Sequence, residues 1–481
     1  MPQSSELSPA SSPDRGRTVR ARSRGTAPAL ARLLPPLLLL AAEGCNIGKQ
    51  LDVKDKDFVQ PGGLTNPAAL ASLLAGALSQ FQVAWSGSGD EGGNGHEGQI
   101  NMTGLLTDEL VDLETFPTRI AVDERIATPT NGSLRSLFLD LSQARVSAER
   151  AALQFVALDS AQSIGRAEAS NLAAFSYVLF AEDYCSGVPF SSVSVSGTLA
   201  FGQPLPTDSV YARAIAAFDT ASVVAAAESL ATDAAGALDS LSVQELNLAR
   251  VGRARVLLDL GQLAAAGVTA DSVPDGFTYA VEGSANSPRE NNGIWYFTTL
   301  LSFSVADVEG GNGLPFVSAA DPRAPFDDTG EPGFSGVPGT DFIAELKYPD
   351  PTSDAVLGDW IEARLIRAEA QLNAQHSGSY ITTLNALRAT NGALAPLTPA
   401  GTFDGQVDQL FSERAFWQYL TAHRLSDLRR LIRQYGRGSE TVFPTGTDAI
   451  TGSPYGTDVN FPVSSDETNN PNFSACINRD A

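Results

Sequence analysis

Three stretches near the end of the chain determine its architecture: LGDWIEARLIRAEAQLNAQ at residues 357–375, ITTLNALRATNG at 381–392, and LFSERAFWQYLTAHRLSDLRRLI at 410–432. Apolar residues recur in the first stretch at helical spacing, which predicts a helix with one apolar face. They are Ile361, Leu365, Ala368 and Leu372. The third stretch carries a broader stripe, made of Leu410, Phe411, Phe416, Trp417, Leu420 and Leu428. The stretches therefore predict helices that bury these faces against one another.

Charged side chains lie close to these apolar faces. Glu369 sits beside the first face, and Arg424 and Asp427 lie near the third-stretch stripe. A carboxylate or guanidinium pressed against a core must be paired, because removing an unpaired charge from water costs much free energy. We therefore expect Glu369 or Glu413 to meet Arg424 or Arg388 across the packed helices.

The order of motifs in this region carries a family resemblance. RAEAQL, LNALR and SERAFWQYLTAHRLSDLRR are followed by FPVSSDETNNPNF at residues 461–473. This order resembles the SusD/RagB family of outer-membrane nutrient-binding lipoproteins. The resemblance implies an all-α, tetratricopeptide-like scaffold of antiparallel helix pairs, with a loop-rich insertion that carries short strands. Gln418, Ala422 and Val463 depart from the family pattern, at positions that are structural in that family.

Further helices are predicted upstream by apolar and alanine periodicity. They cover residues 65–85, 133–158, 161–184, 208–230 and 242–266. The last of these resembles part of a tetratricopeptide unit. Cys185 and Cys476 could form a disulfide in an oxidising compartment, and two free buried thiols fit the sequence equally well.

The charge balance limits the class of partner. The 481 residues carry a formal net charge of −23, and without the first 44 residues 26 basic and 52 acidic side chains remain, a net charge near −26. Such a surface repels phosphates, so we expect neither nucleic acid nor an anionic lipid surface as the partner. An acidic surface that only keeps the protein in solution accounts for the same charge.

The N-terminal segment predicts secretion. Six arginines between residues 15 and 32 precede the apolar run LLPPLLLLAA, and EGC follows. A basic region, an apolar run too short to span a bilayer, and small residues are typical of a secretory signal, here 1–44. Cys45 resembles the acylated cysteine of bacterial lipoproteins, which would hold the protein at a membrane by its lipid anchor only. A plain signal peptide with a chance cysteine is the alternative. Residues 45–64 are interpreted as a polar tether ahead of the main domain, 65–481.

Two irregular segments supply the candidate ligand-binding residues. Trp85 ends a predicted helix directly before the glycine-rich stretch 86–98, where its ring either stacks on a sugar or closes the helix in the core. Residues 267–350 are rich in Gly, Pro, Asn and Asp and are predicted to form the insertion. Because loops on a rigid scaffold tend to collect binding residues, aromatic and polar side chains there are the best candidates. Besides Trp85, the predicted ligand-binding residues are Trp295, Tyr296, Asn291, Asn292 and Arg289.

The sequence lacks the common catalytic motifs, such as G-x-S-x-G, HExxH or a P-loop. His96 has no second ligand at fixed spacing, so neither a metal nor a cofactor is expected. The resemblance implies a non-enzymatic protein on the outer face of the outer membrane, which passes an oligosaccharide or peptide to a TonB-dependent SusC-like transporter. Two other classes stay open: a glycan-degrading hydrolase with paired carboxylates in 267–350, and a tetratricopeptide-type protein-binding scaffold.

Overall fold

The computed structural model describes residues 67–90, 95–158, 163–194, 198–229, 240–337, 340–374 and 377–480. All of the described residues lie in one compact unit. The predicted signal 1–44, the candidate lipidation residue Cys45 and the tether 45–64 lie outside the described residues.

Helices form the scaffold, so the predicted all-α class is confirmed. They are α1 (Leu70–Ser86), α2 (Gly98–Leu106), α3 (Pro117–Asp123), α4 (Gly132–Leu158), α5 (Ile164–Asp183), α6 (Thr207–Ser229), α7 (Ser240–Asp259), α8 (Leu263–Ala270), α9 (Gly293–Thr299), α10 (Trp360–Asn373), α11 (Ser377–Ala389), α12 (Phe403–Trp417), α13 (Arg424–Tyr435) and α14 (Ser439–Val442). The single helix predicted over 242–266 is instead divided into α7 and α8. Gly261 has φ 70° between them, a conformation that ends a helix.

The long helices pack in sequence order around one continuous core. Helix α4 packs on α5, α5 on α6, and α6 on α7, while α10 packs on α11 and α12. Small residues allow close approach: a Cβ on Gly252 of α7 would lie 2.1 Å from Cζ of Phe218 in α6. Two described segments, Pro67–Ser86 and Thr207–Ser229, are long and apolar enough to cross a membrane. Both pack against other helices of the scaffold.

The strands of the described residues form five two-stranded antiparallel sheets. The pairs are β1 (Leu110–Asp112) with β7 (Phe303–Val305), β2 (Val188–Pro189) with β5 (Pro204–Leu205), β3 (Ser192–Val193) with β4 (Leu199–Ala200), β6 (Thr278–Val281) with β10 (Ala355–Asp359), and β8 (Phe326–Pro332) with β9 (Asp341–Glu345). The β6–β10 pair holds both ends of the irregular segment together, because Thr278 lies opposite Asp359 at the start of α10.

The buried charges of the three C-terminal stretches that we expected to pair do form ion pairs, but only one of the predicted partnerships forms. Glu413 meets Arg388 at 2.5 Å, as predicted. Glu369 instead meets Arg430 at 2.6 Å, and Arg424 meets Asp108 at 2.6 Å. Six residues along a helix correspond to 600°, so Arg424 and Arg430 project about 120° apart and cannot share one partner. The partner of Glu369 is therefore Arg430 and not the predicted Arg424.

The C-terminal segment is tied to the end of α5. Cys185 and Cys476 form a disulfide with 6.1 Å between their Cα atoms, which settles the alternative of two free thiols. The amide of Phe461 donates to the carbonyl of Asp183 at 2.7 Å, and the amide of Cys185 donates to the carbonyl of Phe461 at 2.8 Å. These bonds hold the segment that carries the FPVSS motif against the helical core.

Candidate functional site

The glycine-rich stretch after α1 and the segment before α9 form one surface, although about two hundred residues separate them in sequence. The amide of Gly89 donates to the carbonyl of Pro288 at 2.8 Å. A Cβ on Gly293 would lie 2.6 Å from the carbonyl oxygen of Ser86, so only glycine allows this approach. The two segments from which the candidate ligand-binding residues were selected therefore meet.

Trp85 is not part of this surface. Its side chain is fully buried in the core cluster at the end of α1. A ring without exposed surface cannot stack on a ligand, so the predicted role of Trp85 in ligand binding is wrong. The alternative reading, a core residue that closes its helix, is the one found.

Asn292 also has a structural role. Its side-chain oxygen accepts hydrogen bonds from the amides of Ile294 at 2.8 Å and Trp295 at 3.1 Å, which caps the N-terminus of α9. Its amide nitrogen donates to the carbonyl of Ser353 at 2.9 Å. Because this buried side chain uses both of its polar atoms within the fold, its predicted role in ligand binding is corrected to helix capping.

Trp295 and Tyr296 follow this cap and form what we call the aromatic platform. Both rings are half-buried. The Tyr296 ring lies against Gly95 of the glycine-rich stretch, where an added Cβ would be 2.5 Å from its Cε1 atom. It also contacts Phe297 edge-to-face, with 5.3 Å between ring centroids. The platform is thus held from below by the core, and it keeps part of its aromatic surface accessible.

An arginine and an exposed ring that the sequence reasoning did not select extend the platform. The guanidinium of Arg119 lies 4.7 Å from the centroid of Phe297 and 5.0 Å from that of Phe116. Glu97 and Glu114 fix this guanidinium at 2.9 and 2.6 Å. Phe116 is 47% exposed. Phe116 directly precedes the short helix α3, and no periodic apolar pattern surrounds it. The sequence therefore did not indicate it as a candidate.

The remaining predicted residues lie beside the platform. The amide group of Asn291 lies 2.9 and 3.1 Å from the carbonyl oxygens of Ser284 and Ser287, so it holds the turn. Arg289 is half-buried, and its charge opposes protonation of the nearby His96. The dominant effect on His96 is its hydrogen bond to Asp140, at 2.7 Å, which raises the pKa of the imidazole. Arg289 thus remains a candidate, and its contact with a ligand stays a prediction.

A cavity of about 830 Å³ is lined in part by Ser284, Asn286 and Glu290, and we call it the carboxylate cavity. Helices α1, α5 and α7 and strand β6 contribute its walls. Its charged lining residues are all acidic: Glu168, Glu245, Glu282, Glu290 and Asp354. Because these side chains come from separate elements, no motif in the sequence indicated the cavity.

Burial changes the protonation of this cavity. Burial raises the pKa of Glu245 to about 8, against the opposing effect of the Asn171 amide, which donates to its Oε2 atom at 2.8 Å. Burial likewise raises the pKa of Glu168. At neutral pH Glu245 is therefore largely protonated, so it can donate a hydrogen bond as well as accept one. Such groups suit a ligand that carries hydroxyl groups. Among the described residues, no group of three or more His, Cys, Asp or Glu is placed to hold a metal ion.

Comparison with known proteins assigns the fold. No protein-family model and no curated protein matches the chain. Solved structures of the SusD superfamily do match. Surface glycan-binding protein A from Bacteroides uniformis matches with a TM-score of 0.63 and 14% identity, over 85% of this chain and 99% of its own. A SusD superfamily protein from Parabacteroides distasonis matches with a TM-score of 0.62 and 16% identity, over 84% and 98%.

A third match is a SusD-like carbohydrate-binding protein from Bacteroides vulgatus, with a TM-score of 0.59 and 15% identity, over 85% of this chain and 97% of its own. The chain therefore has the SusD fold, as the order of its motifs indicated. At such identities the likeness defines the scaffold only, because one fold can carry different ligand sites.

Proposed function

We propose that this protein captures an extracellular oligosaccharide at the aromatic platform and does not cleave it. The observation that carries the proposal is Trp295, a half-buried aromatic residue in the first turn of α9, next in sequence to Tyr296, whose ring lies against the glycine-rich stretch. The fold adds support, since two proteins with the same scaffold are described as surface glycan-binding proteins.

The binding mode follows from the side chains available. The flat faces of Trp295 and Tyr296 suit the apolar face of a sugar ring, and nearby polar groups fix its orientation. The carboxylate cavity, which Ser284 and Glu290 help to line, provides hydrogen-bond acceptors for hydroxyl groups. None of its described lining residues carries a positive charge, so an anionic sugar would be repelled there. The proposed ligand is therefore a neutral oligosaccharide.

Anchoring and delivery belong to the same proposal. Acylation of Cys45 would keep the protein on the outer face of the outer membrane, and a TonB-dependent SusC-like transporter would take up the ligand. The leader sequence and the order of motifs support both. A Cys45→Ser variant expressed in a Gram-negative host should leave the membrane fraction, and a barrel transporter should co-purify with the unaltered protein. Membrane retention of the variant would contradict the anchor.

A binding experiment tests the site itself. The purified protein would be screened on a glycan array, and the best neutral oligosaccharide would be titrated by calorimetry. Trp295→Ala should weaken its binding at least about tenfold, as expected for an aromatic residue that dominates a binding surface. Phe403→Ala is the matched control, because Phe403 is a half-exposed ring at the start of α12, outside the platform.

Two results would count against the proposal. Equal affinity of the Trp295→Ala variant and the unaltered protein would remove the platform as the binding site. Release of shorter sugars from the bound oligosaccharide would favour the glycan-degrading hydrolase, with Glu282 and Glu290 of the carboxylate cavity as the first residues to replace.

A further inference from the structure

A second cavity, of about 310 Å³, lies between α13, the start of α6 and the C-terminal segment. Two arginines of α13, Arg429 and Arg433, line it, together with Thr207 at the start of α6. It shares no lining residue with the aromatic platform or with the carboxylate cavity. Its chemistry is therefore independent of the proposed oligosaccharide site.

Arg429 is buried and forms no ion pair with any residue in the part of the chain that the structure describes. Its side chain is 2% exposed, and its Nη1 atom donates to the main-chain carbonyls of Ala181, Glu182 and Tyr184 at the end of α5. Its Nε atom has no hydrogen-bond partner among the described residues. A buried guanidinium whose N–H group is unmatched loses hydration without replacement, which is costly unless a ligand accepts the bond.

Arg433 adds a second positive charge to the same cavity. It is exposed and lies one helical turn after Arg429. Burial lowers the pKa of Arg429 most, Arg433 lowers it further, and the resulting pKa is about 10. Like charges four residues apart on a helix repel each other. Tyr211, Asp183 and Asp259 raise the pKa of Arg429, each by less than Arg433 lowers it, and burial raises the pKa of Asp183 itself well above the usual value.

The start of α6 supplies a third positive contribution. This helix has 23 residues, and its N-terminal end carries a partial positive charge, while the amide of Thr207 donates to Oγ of Ser186 and the amides of Ser209 and Val210 donate to the carbonyl of Pro206. Asp208 and Asp480 also line the cavity. Their carboxylates disfavour a highly charged ligand, so a group with one or two negative charges fits best beside the two arginines.

We propose that this cavity binds an oxyanion, a sulfate, phosphate or carboxylate group, between Arg429, Arg433 and the N-terminus of α6. A guanidinium presents paired N–H groups that match these anions. At about 30 Å³ for each water molecule, the volume corresponds to about ten waters. The cavity thus has room for the anion and for part of a larger molecule that carries it.

Calorimetric titration of the purified protein tests this site. Sodium sulfate, phosphate, acetate and glucuronate would be titrated at one ionic strength, with sodium chloride as the reference. Arg433→Ala should weaken binding about ten- to a hundredfold, as expected when a charged hydrogen bond is lost. Arg429→Gln should weaken it at least as much. Arg367→Ala is the matched control, because Arg367 forms a surface ion pair with Asp271 and does not line the cavity.

The outcomes separate the sources of the anion. Equal affinity for acetate and glucuronate, lost in Arg433→Ala, supports a free oxyanion. Tighter binding of glucuronate than of acetate supports an anionic group carried by a sugar. The proposal is overturned if none of the four probes binds more tightly than chloride, or if Arg433→Ala binds them like the unaltered protein. Because Arg433 is exposed, we expect Arg433→Ala to fold, and this variant tests the proposal even if Arg429→Gln fails to fold.

Discussion

Arg430 and Glu369 form a two-pronged ion pair in which both side chains are fully buried, with nitrogen–oxygen distances of 2.6 and 3.0 Å. Asp427 joins them, accepting from Arg430 at 2.9 Å and from Arg414 at 2.7 Å. Burial alone would raise the pKa of Asp427, but the two arginines lower it to about 2. Asp427 therefore stays charged at neutral pH, and the network connects α10, α12 and α13.

We expect Arg430→Met to destabilise the protein by about 3–5 kcal/mol, because it leaves the fully buried Glu369 without its two-pronged guanidinium partner and leaves Asp427 with Arg414 alone. Methionine fills a similar volume, so lost packing contributes little. Urea unfolding followed by circular dichroism measures the change. The control is Arg367→Met, which removes a surface pair with Asp271 at 3.2 Å and should change the free energy of unfolding by less than about 1 kcal/mol. Similar small losses in both variants would contradict the structural role of the buried network.

The charge pattern near the third stretch could be predicted from the sequence only in part. The apolar stripes identified which helices pack, and the burial of Glu369, Glu413, Arg424 and Asp427 followed from their position beside those stripes. The partners depend on how far each helix is rotated and displaced along its neighbour, which periodicity does not specify. Arg424 reaches Asp108, in a short connection between α2 and β1 that has no periodic pattern.

The candidate site was predictable to a similar degree. Composition drew attention to Trp295 and Tyr296, and the structure places the Tyr296 ring against the glycine-rich stretch and leaves the neighbouring Trp295 half-buried in the first turn of α9. The pair Asn292-Gly293 before an apolar run is typical of a helix N-cap, so its structural role could have been inferred. The carboxylate cavity could not, because Glu168, Glu245 and Asp354 meet only through the packing of separate elements.

The close contact of α6 and α7 leads to a test of the helix packing. Because a Cβ at position 252 would lie 2.1 Å from the buried Phe218 ring, Gly252→Ala should destabilise the protein by about 1–3 kcal/mol. Gly76 of α1 is the matched control, since its Cβ would meet nothing within 4 Å. Gly76→Ala should be neutral or stabilise by up to about 1 kcal/mol, because alanine favours helix. Thermal unfolding of both variants makes the comparison, and a stable Gly252→Ala variant would contradict the packing of these helices.

The raised pKa of Glu245 predicts a defined dependence of stability on pH. Burial raises this pKa to about 8, above the value near 4.3 that is usual for a glutamate. The protonated carboxyl of Glu245 makes its full contribution to the free energy of unfolding below about pH 4. This contribution is lost as the pH rises through about 8. Glu245→Gln cannot ionise and can still accept the hydrogen bond from Asn171.

Relative to the unaltered protein, we therefore expect Glu245→Gln to gain stability between pH 5 and pH 9, by about 1–3 kcal/mol. Urea unfolding at a series of pH values measures the difference between the two proteins. Glu331→Gln serves as the control, because Glu331 is exposed on β8 and its replacement should leave the pH profile unchanged. A constant difference between Glu245→Gln and the unaltered protein across this range would mean that the carboxyl ionises normally.

The contact between Gly95 and Tyr296 links the glycine-rich stretch to ligand binding. A Cβ on Gly95 would lie 2.5 Å from Cε1 of Tyr296, so Gly95→Ala must move either the ring or the stretch. We expect this variant to weaken oligosaccharide binding about tenfold, because the platform loses its arrangement. Tyr296→Phe keeps the ring and should bind like the unaltered protein, whereas Tyr296→Ala should bind as weakly as Gly95→Ala. Calorimetric titration compares the three, and full affinity in both Gly95→Ala and Tyr296→Ala would remove Tyr296 from the ligand surface and leave Trp295 to act without it.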